Sequence, residues 1–248
     1  MNKTLTTDFG YQTIPINEKK SRVEAVFQSV ADKYDLMNDL MSLGLHRLWK
    51  KFAVELAQLR KGDNVLDVAG GTGDLVKVMA EHVGSQGRAI LLDINAAMLN
   101  IGRDRLLDRG LTEVSVIQAN AEFLPFVEAS FDCLSIAFGL RNVTNKERAL
   151  ASMYRILKPG GRLIVLEFSK PLLGFLQNLY DCYSFDFLPK LGAWIVNDEA
   201  SYRYLVESIR RHPDQKTLQK LILSSGFDDC EYYNLSGGIV ALHRAWKF

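Results

Sequence analysis

The sequence predicts an α/β fold: a mostly parallel, doubly wound sheet with helices on both faces, closed by an antiparallel hairpin. Three observations carry that expectation. Short, nearly all-apolar runs alternate with helical stretches between residues 64 and 167, as for strands buried on both faces. A glycine-rich loop joins the first of these runs to a helix. Near the chain end two strand-like runs flank Ser236, Gly237 and Gly238, which is the pattern of a hairpin.

Taken in order, residues 1–20 are polar, carry Gly10 and Pro15, and read as a flexible tail. Ser21 and Glu24 form a capping box that would start the first helix, with Val23, Val26, Phe27 and Val30 at helical spacing down to Tyr34. A second helical stretch runs from about Asp39 past His46 and Trp49 to Leu59, where Gly62 ends it. Strands are then expected at 64–68, 89–93, 114–118, 131–136 and 161–167, with helices at 75–79, 98–107 and 146–157 between them. The stretch 171–196 is aromatic, with Phe175, Tyr180, Tyr183, Phe185, Phe187 and Trp194. It reads as the start of a helical insertion over the sheet, extending to about 212. A helix at 214–224 precedes the final strands, 231–235 and 239–246. Residues 21–248 therefore read as one domain.

Composition limits the function. The 248 residues hold 30 Lys and Arg against 29 Asp and Glu, a net charge of +1, which argues against bulk attraction to nucleic acid. Cys133, Cys182 and Cys230 are far apart with no Cys-x-x-Cys pair, so neither a disulfide framework nor a zinc ribbon is expected. His46, His82, His212 and His243 show no metal-ligand spacing, and no metal is expected. No apolar run approaches the ~18–20 residues of a membrane span, and the polar start lacks a signal-peptide core, so the expectation is a cytoplasmic protein.

The strongest chemical signal is the loop from Asp67 through Ala69, Gly70, Gly71, Thr72 and Gly73 to Asp74. Glycines allow backbone to approach a ligand, and a helix start favours polar groups. A dinucleotide fingerprint would need a third glycine where Val76 stands, and the P-loop lysine is missing. Asp67 with small residues at 69, 71 and 73 instead resembles the first motif of class I S-adenosylmethionine methyltransferases, with Ala69 in place of the usual first glycine. Asp93, closing the second strand, offers a carboxylate to ribose hydroxyls. Asn120 with Ala121 follows the third strand, where the resemblance implies contact with the adenine, and an asparagine can offer donor and acceptor to a base edge.

Two stretches narrow the resemblance. Residues 34–49 are similar to the N-terminal signature of the UbiE ubiquinone/menaquinone biosynthesis C-methyltransferases, and residues 155–167 to their second signature. Residues 138–143, 201–205 and 241–248 resemble the same family, so the likeness covers about 9–248. It implies a Rossmann-like, seven-stranded class I fold, S-adenosylmethionine as cofactor, and cofactor positions at Asp67, Gly71, Thr72, Gly73, Asp93, Asn120, Ala121 and Ala137. At Ala137, where a serine is common, only a backbone contact remains.

The resemblance further implies methylation of a ring carbon on a polyprenylated benzoquinol, and of demethylmenaquinol. Arg141 is the expected catalytic residue, its cation opposing a quinolate oxygen. The competing reading of Arg141 and Asn142 is a loop that braces backbone carbonyls. Tyr34, Asn38, Asn142 and Tyr202 are expected at the substrate, and Asp35 and Asp132 are weak candidates for a base. His46 reads better as an ordinary helix histidine. A lipid product implies peripheral contact with the inner face of the membrane, and the likeness leaves room for a homodimer or a quinone-biosynthesis complex. Two alternatives stay open: methylation of another small phenol, and a cofactor-binding subunit without turnover.

Overall fold

The computed structural model describes residues 6–30, 34–172 and 199–248. Its main sheet follows the apolar runs: β3 (Asn64–Val68), β4 (Arg88–Asp93), β5 (Ser115–Gln118), β6 (Phe131–Ala137), β7 (Leu157–Phe168), β8 (Asp229–Leu235) and β9 (Val240–Trp246). The spatial order is β5-β4-β3-β6-β7-β9-β8, parallel from β5 to β7. Strand β9 then pairs antiparallel with both β7 and β8, so the hairpin closes the sheet as expected. From β3 the chain winds outward through β4 and β5, then returns to lay β6 on the other side of β3. Crevices for ligands open at the carboxyl ends of strands where such a sheet reverses.

Side-chain alternation along each strand feeds two cores. Val65, Leu91, Ile164 and Leu242 pack on one face with Trp49 and Val54 of α3 (His46–Ala57), Met79 of α4 (Asp74–Val83), and Leu99 and Leu106 of α5 (Ala96–Asp108). Leu66, Leu92, Leu134 and Val165 pack on the other face with Leu150 and Met153 of α6 (Lys146–Ile156). Leu218 and Ile222, from the helix Gln215–Ser224, complete that second core.

The N-terminal region departs from the expectation. Residues expected to be a loose tail form an antiparallel hairpin of β1 (Thr6–Phe9) and β2 (Gln12–Pro15), turned at Gly10 with φ +58°. Helix α1 (Ile16–Val30) starts five residues before the capping box, and the Ser21 hydroxyl donates to the Glu18 carbonyl at 2.9 Å instead of capping. Phe9 stacks on Tyr204 at 4.2 Å between ring centres, which ties the hairpin to helix α7 (Glu199–Arg211). That tertiary contact is invisible to local pattern reading. The second helical stretch is broken into α2 (Tyr34–Ser42) and α3, because Leu43 and Gly44 take φ of +51° and +78°. Strand β7 begins at Leu157, earlier than expected, with its register against β6 shifted between Phe131 and Cys133. The helix Gln215–Ser224 is α8. Cys182 and the aromatic positions from Phe175 to Trp194, read as an insertion, lie outside the described residues.

Candidate active site

The glycine loop leaves β3 through Ala69, Gly71 and Gly73, with φ of +52°, +57° and +82°, and Gly73 caps α4. Its backbone is held by Gly70 N–H to the Leu92 carbonyl and Gly73 N–H to the Gly70 carbonyl, each 3.0 Å. A Cβ at Gly70 would lie 2.5 Å from both Asp67 Oδ2 and Leu91 Cδ1, so only glycine fits there. At the end of β4, Asp93 Oδ2 accepts the Gly71 amide and Oδ1 the Asn95 amide, both at 2.9 Å. Burial pushes the Asp93 carboxyl up, and the amides of Asn95 and Gly71 oppose that shift. Asn95 caps α5 through Ala97 and Met98, and its amide nitrogen reaches the Glu24 carbonyl of α1 at 3.3 Å. Asn120 Oδ1 accepts from the Glu122 amide at 3.0 Å.

These groups converge on one cleft at the carboxyl ends of β3 and β4. Ala69 and Gly71 line it beside Asp93, Asn95 and Met98. Asn120, Ala121, Phe138, Asn142 and Val143 form the far wall, and Val23, Glu24 and Phe27 of α1 line it from the helix above. The donor set fits S-adenosylmethionine. Each Asp93 oxygen keeps a lone pair for a ribose hydroxyl, and the Asn120 amide nitrogen remains to donate to a base edge. Met98, Ala121 and Phe138 supply apolar surface for an adenine ring. Asp93 and Glu24 bring negative charge to a cationic ligand.

Not every expected residue reaches the cleft. Asp67 is 1% exposed beneath the loop, and its Oδ1 accepts from the Ser135 hydroxyl at 2.7 Å. Its Oδ2 has no hydrogen-bond partner among the described residues, and burial pushes the carboxyl up to about 7 despite Ser135. Thr72 and Gly73 line a separate groove with Lys77 and Arg105, because the loop turns them away from the cleft. Ala137 ends β6 without lining the cleft, and the next residue, Phe138 at φ +57°, does so instead. Of the substrate positions, Asn142 lines the cleft, and the Tyr204 hydroxyl donates to its Oδ1 at 3.0 Å. Tyr202 is 1% exposed in the core, and Asn38 lies on α2 away from the cleft lining. The side chains of Tyr34 and Asp35 lie outside the described residues.

Arg141 is buried against Glu167, Nη1 to Oε1 at 2.8 Å, and the same nitrogen donates to the Phe138 carbonyl. The Arg141 amide donates to Glu167 Oε2 at 3.2 Å, and the guanidinium lies over the Phe168 ring. A charge so answered does not stand free to meet a quinolate. This geometry matches the loop-bracing alternative. Asp132 is the second residue of β6, at the amino end of the sheet, where Lys158 pairs with it at 2.7 Å. Five residue steps along the strand part it from Ala137, roughly 16 Å, so it is no base for this cleft. His46 takes a 2.9 Å hydrogen bond with Ser42, and burial lowers its pKa, as for a satisfied helix histidine. Sequence reading missed Glu24, Phe27, Asn95 and Met98. Phe27 and Val23 carried only a core-helix signal, whereas Asn95, two residues beyond Asp93, went unread although an asparagine ahead of a helix is a cap signal.

Residues 15–247 match the model of the ubiE/COQ5 methyltransferase family. The chain is 57% identical over 248 residues to the ubiquinone/menaquinone biosynthesis C-methyltransferase UbiE of Legionella pneumophila strain Corby, covering 100% of this chain and 99% of that protein. It is 58% identical over 244 residues to the UbiE protein of Serratia proteamaculans, covering 98% and 97%. Among solved structures it is similar to a SAM-dependent methyltransferase of Aquifex aeolicus, with a TM-score of 0.61 and 15% identity over 86% of this chain and 98% of that one. A possible histamine N-methyltransferase of Thermotoga maritima gives 0.62 and 23%, over 90% and 99%. At those identities the structures speak for the fold alone, a class I methyltransferase sheet. With the family model spanning nearly all of its length, the chain belongs to the ubiE/COQ5 methyltransferase family and is an S-adenosylmethionine-dependent C-methyltransferase.

Proposed function

We propose that the protein methylates a ring carbon of a polyprenylated benzoquinol, of the 2-methoxy-6-polyprenyl-1,4-benzoquinol type, and of demethylmenaquinol. The observation that carries this reading is the 57% identity over 248 residues to a ubiquinone/menaquinone biosynthesis C-methyltransferase. When bound, S-adenosylmethionine supplies an electrophilic methyl carbon whose sulfur leaves as a neutral thioether.

The chain's own task is placement, which by itself removes several kcal/mol from such a barrier. Asp93 and Asn120 fix the nucleoside end, while Glu24 and Phe27 of α1 lean over the cleft and limit water. Asn142, its oxygen engaged by Tyr204, keeps an amide nitrogen to donate to a ring oxygen of the acceptor. The ionised quinol pushes electron density to the ortho carbon, which forms the new carbon–carbon bond and then yields its proton to water. Arg141 acts through the loop, as a positioning residue. The prenyl tail keeps the acceptor in the bilayer, so the enzyme meets it as a peripheral protein at the cytoplasmic face. No helix among the described residues is long and apolar enough to cross a membrane.

The test is a methylation assay on paired prenylated benzoquinol and naphthoquinol acceptors under reducing conditions. Both quinols are expected to gain one methyl group, and the same rings held oxidised are expected to gain none. Equal rates on quinone and quinol would overturn the mechanism, and no transfer to either quinol would overturn the substrate.

A further inference from the structure

A second cavity, open to solvent, lies beyond the wall formed by Asn142 and Tyr204, between the β1–β2 hairpin, α1, the start of α6 and the end of α7. The cleft chemistry makes no use of it. Its lining is unusual in where the charges sit. Lys19 is 4% exposed, and its ammonium donates to the Val143 carbonyl at 3.4 Å. Lys146 donates to that same carbonyl, also at 3.4 Å. Each ammonium carries three donors, and neither makes an ion pair among the described residues. His212 is 3% exposed and lines the cavity, with neither ring nitrogen hydrogen-bonded among the described residues. Arg211 adds a cation at the mouth, over the Tyr11 ring. The acidic lining residues, Asp8 and Glu147, are exposed at the rim.

Burying unpaired charge and unpaired polar nitrogen costs several kcal/mol unless something answers them. Two lysines converging on one neutral carbonyl are not answered by it. We propose that this cavity binds a tetrahedral oxyanion of the phosphate class, held by Lys19, Lys146 and His212 and gated by Arg211. The oxygens accept from the two ammoniums and from the imidazole, and the anion's charge offsets the repulsion between the lysines. Free of the anion, burial and the neighbouring Lys146 lower the Lys19 pKa to about 8, and burial holds His212 neutral. For Lys19 the more distant charges of Asp8 and Glu122 oppose the shift without cancelling it, and for His212 nothing opposes it. The Val143 carbonyl that both lysines hold belongs to the wall of the cofactor cleft, so an occupant here steadies that wall from behind. The anion has two sources, free phosphate and the phosphodiester headgroup of an anionic lipid.

The experiment titrates inorganic phosphate into the full chain at constant ionic strength, reading the melting temperature and the heat of binding. Phosphate at about a hundredfold excess over its Kd is expected to raise the Tm by roughly 5 °C, with chloride without effect. Lys146→Gln is expected to weaken phosphate binding at least tenfold while raising the Tm of the phosphate-free protein, because it relieves the repulsion. Arg211→Gln, on the exposed rim, keeps the fold and is expected to weaken binding about threefold. Equal stabilisation by chloride, or a phosphate response unchanged in both variants, would overturn the site. Vesicles of phosphatidylglycerol, with phosphatidylcholine as control, separate the sources. Vesicle binding that falls in Lys146→Gln assigns the site to a headgroup, and vesicle binding indifferent to that change assigns it to free phosphate.

Discussion

At the residue scale, Arg141 and Asp93 show how burial decides what a charge is for. Arg141 and Glu167 are 4% and 1% exposed at their side chains, and each also bonds loop backbone, Arg141 to Phe138 and Glu167 to the amides of Arg141 and Phe168. Removing one partner strands the other in a dry site. Arg141→Met is therefore expected to cost about 3–5 kcal/mol of stability in denaturant titrations, and adding Glu167→Leu to recover most of it. An Arg141→Met protein as stable as the wild type would show that the pair does not hold the loop. Asp93 keeps lone pairs toward the cleft, so Asp93→Ala is expected to weaken S-adenosylmethionine binding by about 1–3 kcal/mol in calorimetry. Unchanged affinity would remove Asp93 from the site.

At the element scale, the glycine loop is set by what packs below it as much as by its own flexibility. Gly70 rests on Asp67 and Leu91, and Gly139, on the neighbouring loop, would place a Cβ 2.6 Å from that of Ala69. The two loops touch through atoms that glycine alone leaves room for. Gly139→Ala is expected to push them apart at about 1–3 kcal/mol of stability, and to loosen cofactor binding with it, since Ala69 and Gly139 both line the cleft. A variant with native stability and native affinity would show that the loops are not in register through this contact. Helix α1 reaches the same cleft from the opposite side, tied down by the bond from Asn95 to the Glu24 carbonyl.

At the scale of the whole molecule, buried titratable groups set the pH response. His243 on β9 is 1% exposed, bonds the Gln215 carbonyl through Nε2, and has its pKa lowered by burial to about 4. Its folded value lies below the unfolded 6.5, so its contribution is intact above pH 6.5 and is lost as pH falls toward 4. Asp67, raised by burial to about 7, works in the other sense, its contribution present below pH 4 and lost as pH rises through 7. Part of the two slopes cancels in the wild type. Relative to the wild type, His243→Gln is expected to gain about 3 kcal/mol between pH 6.5 and 4 in thermal or denaturant unfolding. Parallel stability curves for the two proteins would place the acid response elsewhere.

The strand order's raw material, the glycine loop and the acidic residue closing β4 were legible in the sequence because each is a local requirement. A strand buried on both faces must be apolar throughout, and a backbone turning through positive φ beside packed side chains must be small. The family was legible for the same reason, in residues 34–49 and 155–167. What the sequence could not carry was set by partners far along the chain. The hairpin at residues 6–15 stands because Phe9 finds Tyr204, nearly two hundred residues away. Thr72 sits in the right motif yet faces the other groove, and Tyr202 is core while Tyr204 reaches Asn142. Arg141 reads as a free cation until Glu167, twenty-six residues on, is folded against it. Local pattern fixes which backbone forms, but the orientation and charge state of a side chain depend on what tertiary packing brings within a few ångströms of it.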